Sequence, residues 1–508
     1  MPKTGVAAKL ISSSRWNFIS FAVSAAANFV AIPWVIASIG LDAFGAAGLV
    51  LAVYAPFTLV GTVIGQALIK ELAPRLASGD REACVRFTSA AFYISGVCVI
   101  AVVFFLYFFG NEILLIMIKG KANWHWLILV CGLGWMAQQA YMLVQATIAA
   151  TQDFGRLAIV GSISAVLSAA SVVISSSLMP SALGFLLGTS IGCAITLLLH
   201  IICIWRYLGC FINIRECRRD NVKDLIRFVK WQGAAHFVGA IGNQVDRYAL
   251  GVLAPLQVVG QYNVAMRLQE VVHMAVLKLS EVLFPHFSVT VSDPLEQQAH
   301  FFVRSNWLNN LVAVIALAPL IPLAESLVTL WVSATAAEIA APILRTLAVA
   351  GVIGAGSSVY TYQAMAKGRS SRLAGINAIH ASLLVALTIT SIWFVGPLAA
   401  GAGYLFANIF RLFVVTRFSK SDFAPALSSS IIMIYAMPPL LGGLAFAWVL
   451  LEIHPHWGSN WLELIMNYGL TAMAVGAAAL MSTALFKRGR EQIQESYFWI
   501  RKMLITNN

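Results

Sequence analysis

The chain has 508 residues, of which 60% are apolar and only 11% are Asp, Glu, Lys or Arg, and its mean hydropathy is +0.82. A soluble globular domain carries about 25% charged residues, so the composition excludes soluble, disordered, fibrous and disulfide-scaffold classes and leaves a polytopic membrane protein. The net charge of +12 is then first an orientation signal, and no nucleic-acid partner is expected.

A helix needs about 20 mostly apolar residues to cross a bilayer. In chain order, fourteen such segments are expected: 16–38, 46–69, 87–109, 124–150, 157–178, 182–205, 231–254, 258–285, 307–330, 340–366, 373–394, 398–417, 428–451 and 464–486. They are too long for strands, and open strand edges are excluded from lipid, so the fold class is an all-α polytopic membrane protein. Trp16, Trp34, Trp124, Trp205, Trp231, Trp307, Trp331 and Trp393 stand near span ends, as an interfacial aromatic belt does. Pro33, Pro56, Pro285, Pro319, Pro322 and the Pro438-Pro439 pair are expected to kink or break their helices. The first apolar run is longer than a signal-peptide core and is read as a retained span.

Placing the N-terminus inside puts nearly all connecting Lys and Arg on one face. Lys70, Arg75, Arg81 and Arg86 follow the second span, and Arg215, Arg218, Arg219, Lys223 and Arg227 follow the sixth, while the outside connections hold only Lys119 and Lys121. Both termini are therefore expected in the cytoplasm. The outside loops are short. The longest inside connection, 206–230, is basic and polar and reads as a linker with a short surface helix in contact with lipid headgroups. The seven cysteines all lie in the first half, without Cys-x-x-Cys spacing, and read as free thiols.

An internal repeat divides the chain. Arg15-Trp16, Asn28 and Gly45 recur as Lys230-Trp231, Asn243 and Gly260 at one offset of 215 residues. Gln145-Ala146 followed by Arg156-Leu157-Ala158 recurs as Gln363-Ala364 followed by Arg372-Leu373-Ala374. The pattern predicts two parallel six-helix repeats, spans 1–6 and 7–12, with two additional C-terminal helices. The expected domains are a lobe over 1–205, the linker 206–230, a second lobe over 231–420, and an addition over 421–508.

No phosphate-loop, His-Glu-x-x-His, paired-Cys, Asp-x-Asp or Gly-x-Ser-x-Gly pattern occurs. No catalytic residue, metal or cofactor is expected, and transport is favoured over catalysis. The informative residues are charges inside the spans, which are functional by default. Asp246 and Arg247 lie in the seventh span. Arg267, Glu270, Lys278 and Glu281 fall on one stripe of the eighth. Arg345 lies in the tenth. Arg247 and Arg267 stand at similar depth and could form a cationic cavity for an anion, because a guanidinium stays charged and forks onto phosphate oxygens. Internal ion pairing, Asp246 with Arg267 or Arg267 with Glu270, is the structural alternative. Lys278 and Glu281 read as interfacial groups. Gln138, Tyr141, Gln145 and Gln152 share a face of the fourth span, and Asn17, Ser24 and Asn28 a face of the first. These could line a sugar path or bond helix to helix.

These features together resemble the Wzx-type lipid-linked oligosaccharide flippases, the polysaccharide-export branch of the multidrug/oligosaccharidyl-lipid/polysaccharide exporter superfamily. The resemblance covers roughly residues 10–420. It rests on the Trp-x11-Asn first helix, Gly45 and Gly260, and Asp246-Arg247-Tyr248. It also rests on Val259-Gly260-Gln261-Tyr262-Asn263-Val264-Ala265, Leu283-Phe284-Pro285 and the Gln-Ala…Arg-Leu-Ala turns. It implies translocation of an undecaprenyl-diphosphate-linked sugar unit across a bacterial inner membrane by alternating access. Arg247 and Arg267 would attract the diphosphate, Asp246 and Glu270 would orient them, and Gln145, Asn28 and Asn243 would accommodate sugar. Polysaccharide polymerase, glycosyltransferases and membrane lipids are the implied partners. A lipid II flippase, a cation-coupled multidrug exporter of the same fold, and a polymerase or ligase enzyme are the alternatives.

Overall fold

The computed structural model describes residues 3–117, 124–208, 216–242, 244–281, 287, 290–423, 429–453, 458–487 and 489–495. Among them the regular structure is helical, with no strand. Ten stretches are long and apolar enough to cross a membrane, and a shorter apolar helix covers Pro439–Ile453. One stretch, Phe18–Leu76, runs 59 residues. At 1.5 Å per residue that is about 88 Å, far beyond a hydrocarbon core of roughly 30 Å. It is two crossings in tandem. The segments expected at 231–254 and 258–285 are not among the ten; they carry six of the seven intramembrane charges. The chain forms two compact units, Met1–Gly260 and Gln261–Asn508.

The first unit begins with α1 (Lys3–Tyr54), which runs through Pro33. Its break lies instead at Gly40, where φ is +78° and only glycine is unstrained. A short 3₁₀ turn around Pro56 (Ala55–Thr58) leads into α2 (Leu59–Ser78). There follow α3 (Arg81–Met117), α4 (His125–Ala150), α5 (Phe154–Leu178) and α6 (Ala182–Leu208). Then come α7 (Arg219–Gly242), α8 (Val245–Leu253) and α9 (Leu256–Glu281), which enters the second unit at Gln261. The seventh span is thus not one helix. α7 ends at Gly242, Gln244 leaves helical geometry, and α8 starts afresh. The core is Ile64, Leu68 and Leu72 of α2, Phe87 and Ile94 of α3, Leu143 of α4 and Leu225 of α7. Outward-facing Phe104, Phe108 and Trp205 are exposed, as a lipid-facing surface requires.

Gly45 and Gly260, the repeat-related pair, meet in this unit. A Cβ on Gly45 would strike the Leu256 carbonyl oxygen, and one on Gly260 would strike that of Leu41. Leu41 and Leu256 are themselves 215 residues apart. The contact is reciprocal, as a duplicated element packed on its own copy gives.

The second unit continues with α10 (Leu295–Leu317), α11 (Leu320–Trp331), α12 (Ala334–Ala355) and α13 (Ser358–Ala366). It ends with α14 (Ser370–Val395), α15 (Ala402–Phe423), α16 (Ser429–Ile453) and α17 (Trp461–Ala484). Pro319 separates α10 from α11, whereas Pro322 lies inside α11 and the Pro438-Pro439 pair inside α16 without ending either. Pro285 lies outside the described residues. The additional helices α16 and α17 pack on α10. Trp307 Nε1 donates to Thr483 Oγ1 at 3.4 Å, Tyr468 Oη donates to the Ala316 carbonyl at 2.5 Å, and Gly476 lets Ile315 approach. Beyond α17, Arg304 pairs with Glu495 at 2.6 Å.

Candidate membrane charge site

Asp246 and Arg247 occupy the first turn of the short helix α8. A carboxylate there meets the unpaired N–H groups and the positive end of the helix dipole. The Asp246 residue is 2% exposed, and its Oδ1 accepts the Arg247 backbone N–H at 2.8 Å. Arg247 Nη1 donates to Gln244 Oε1 at 2.5 Å. Tyr248, the next residue, donates its hydroxyl to the Ala52 carbonyl at 2.8 Å and fixes α8 to α1. The break before α8 therefore serves to present a charged turn within an apolar segment.

In the second unit, Arg267 Nη1 stands 3.7 Å from Glu270 Oε2, one turn on along α9. Both side chains are roughly half exposed, at 50% and 40%. This is the local pairing foreseen as the structural alternative, but its exposure leaves both groups open to a ligand. Arg345 is held in its own unit. Its Nε donates to the Ile321 carbonyl at 3.2 Å and its Nη2 lies 3.4 Å from Glu325 Oε2.

The polar faces fare differently. Asn28 is exposed and donates to the Ser24 carbonyl at 2.9 Å, so its amide is folded onto its own helix. Gln145 is half-buried on α4. Asn243 lies outside the described residues, as does the side chain of Glu281. Gln139, which the expected stripe omits, is fully buried on α4. Its Oε1 accepts the Gly61 backbone N–H at 2.6 Å and so caps α2, whose start at a 3₁₀ turn left that donor without a helical partner. A glutamine one position off a polar stripe carries no sequence signal for this.

Two further charged groups escaped the sequence reading. Arg411 lies inside the expected span 398–417, away from the charge stripe of the eighth span. It is half-buried on α15 and donates through Nη2 to Thr361 Oγ1 at 3.4 Å. Its depth in the span was the available signal. Asp422, at the end of α15, has a side chain only 2% exposed. It pairs with Arg369 and, at 2.6 Å, with Arg372, and accepts from the Tyr360 hydroxyl at 3.3 Å. Lys367 caps this group over the Phe423 ring at 4.6 Å. Burial, and then repulsion from Arg369, hold its ammonium below the ordinary lysine range. In the first repeat the corresponding turn has the local, half-exposed Arg156–Asp153 pair at 2.9 Å. Among the described residues no group of three His, Cys, Asp or Glu is placed to hold a metal ion.

With this geometry in hand, comparison with known proteins gives three findings. The profile of the family described as "Polysaccharide biosynthesis protein" matches residues 11–291, more than half of the chain. No curated protein matches by sequence. Among solved structures, the lipid II flippase MurJ in an inward closed conformation superposes with a TM-score of 0.72 at 14% identity, over 94% of this chain and 99% of that one. An inward-facing multidrug resistance MATE family transporter of the MOP superfamily gives 0.68 at 12% identity, over 80% and 98%. A MATE structure in complex with MaD3S gives 0.60 at 14%, over 82% and 96%. At these identities the likeness is one of fold.

Proposed function

This chain belongs to the polysaccharide biosynthesis protein family, and from that premise we propose that it flips polyprenyl-diphosphate-linked oligosaccharide units across the cytoplasmic membrane. The observation that carries the reading is the charged turn of α8. A helix broken within an apolar segment presents Asp246 and Arg247 where a continuous helix would be expected. An anionic diphosphate is the chemistry that a guanidinium at such a position recognises. Arg267, half exposed beside Glu270, supplies a second such group. Glu270 and Asp246 orient the two cations, and Gln145, Asn28 and Asn243 offer hydrogen bonds to sugar hydroxyls. The duplicated halves, 1–205 and 231–420, act as the lobes of an alternating-access transporter. Both termini face the cytoplasm, and the polymerase and glycosyltransferases of the same polymer are its working partners.

The test is Arg247→Ala and Arg267→Ala in a host that depends on this chain. Each variant is expected to abolish surface polysaccharide while membrane abundance stays normal. Normal polysaccharide in both sinks the anion-site reading. A second reading, lipid II translocation, is favoured by one observation: the superposition on the lipid II flippase takes in 94% of the chain, against 80% for the MATE transporter. Proteoliposomes holding labelled lipid II in one preparation and a labelled polyprenyl-diphosphate oligosaccharide in another decide between them by which is flipped.

A further inference from the structure

Five elements of the second unit converge on Arg411. On α9, Gln269 and His273 are one turn apart and face Gly351 of α12; a Cβ on that glycine would stand 3.2 Å from Gln269 Nε2 and 3.7 Å from His273 Nδ1. One turn on, Gly354 admits the side chain of Asn408 from α15. Asn408 donates through Nδ2 to the Ala350 carbonyl at 2.9 Å, and its Oδ1 meets His380 Nε2 of α14 at 3.0 Å. Arg411, three residues beyond Asn408 and so on the same face, reaches Thr361 of α13. Its guanidinium lies within electrostatic reach of both imidazoles.

The cluster is unbalanced. It contributes a permanent cation and two protonatable rings. Among the described residues none of the ion pairs brings a carboxylate to Arg411. Buried Arg411 Nε and His273 Nδ1 have no protein hydrogen-bond partner. A guanidinium in a membrane interior is held there by a counter-charge or by polar partners that match its donors. Here the donors outnumber the acceptors, in residues that are themselves only partly buried.

We propose that Arg411, His273 and Gln269 form an oxyanion site of the phosphate class within the second unit, with His380 and Asn408 positioning the α15 face. The fork of Nε and Nη donors suits tetrahedral oxygens, and the amide and imidazole supply donors from the facing helix. The site does not rest on the flipping of a lipid-linked sugar and stands or falls separately from it. The phosphate could be free inorganic phosphate or the head of a polyprenyl phosphate.

Thermal unfolding of the detergent-purified full chain tests this, with sodium phosphate in one arm and a polyprenyl phosphate in mixed micelles in the other, each against chloride at equal ionic strength. A ligand that binds only the folded state raises Tm in proportion to the logarithm of its concentration above Kd. A rise over chloride that grows with the logarithm of concentration is expected in one arm, and the effective arm identifies the source. Arg411→Gln should weaken the apparent affinity about tenfold or more, as loss of a charged hydrogen-bond donor does. Arg156→Gln, on the half-exposed turn between α4 and α5 where it pairs with Asp153, should leave it unchanged. Should Arg411→Gln fail to fold, Arg411→Lys, which keeps the charge but loses the fork, and His273→Ala each provide the same weakening. No rise in either arm, a rise equalled by chloride, or a rise undiminished in the Arg411 and His273 variants overturns the proposal.

Discussion

Asp422 shows how one side chain can set the charge state of a whole turn. Its carboxylate is buried while Arg369 and Arg372 remain about one-third exposed. The guanidiniums can therefore recover water if the carboxylate is lost, whereas the carboxylate cannot do so if they are. Replacing one partner of a buried pair typically costs about 3–5 kcal/mol, mostly through the charge left behind. Because the remaining cations can rehydrate, Asp422→Asn is expected near the lower end, about 3 kcal/mol, read as a fall in Tm of the purified protein. Lys367 belongs to the same turn and responds in the opposite sense. Its pKa in the folded chain is depressed by burial, so the unfolded chain holds more protons over the window between the depressed value and the ordinary lysine value. Stability then rises with pH across that window. Lys367→Met is expected to raise Tm at neutral pH, with the gain shrinking as pH climbs toward the ordinary lysine value. A gain independent of pH up to that value would show that Lys367 carries no charge penalty.

At the scale of elements, the reciprocal seat of Gly45 and Gly260 is the sharpest constraint. Each lies against a backbone carbonyl of the other's helix, not against a flexible side chain, so an added methyl has nowhere to go. Overpacking of this kind costs roughly 1–3 kcal/mol. Gly45→Ala and Gly260→Ala are each expected to lower Tm and membrane yield. Gly96→Ala serves as the comparison, because a Cβ there meets nothing within 4 Å and alanine improves a helix interior. Equal behaviour of the three variants would remove the glycine contact as a constraint. These glycines were visible in the sequence through their common offset, but their contact partner was not, since nothing local marks Leu41 or Leu256. The helix breaks illustrate the same limit. Pro319 ends α10 as its missing N–H demands, yet Pro33 and the Pro438-Pro439 pair sit within continuous helices, and the breaks at Gly40 and after Gly242 fall at glycines. In a membrane, neighbouring helices re-satisfy the backbone around proline, so proline alone is a weak stop signal.

For the whole molecule, what could be read early was what lipid enforces. Apolar length and the ban on open strand edges give an all-helical polytopic chain, and exposed Phe394 and Trp393, 80% and 69% open on the lipid side of α14, show the same requirement in three dimensions. The interior was less legible, because a polar side chain acquires its meaning from helices far away in sequence. Arg411 draws on α9, α12, α13 and α14, and only its depth in a span announced it. Orientation rests on a third kind of signal, the sum of many basic residues, which no single contact encodes. It makes a prediction about the whole chain. In a cysteine-free background, cysteine placed at exposed Glu338, between α11 and the body of α12, should react with a membrane-impermeant maleimide in intact cells. Cysteine placed at exposed Asp220, at the start of α7, should react only after permeabilisation. On the expected topology three spans separate the two sites, and the basic residues around Asp220, namely Arg218, Arg219 and Lys223, favour the cytoplasmic face for that segment. The reverse labelling pattern would therefore mean that the basic asymmetry does not set the orientation, and would put the charged turn of α8 within reach of the opposite leaflet.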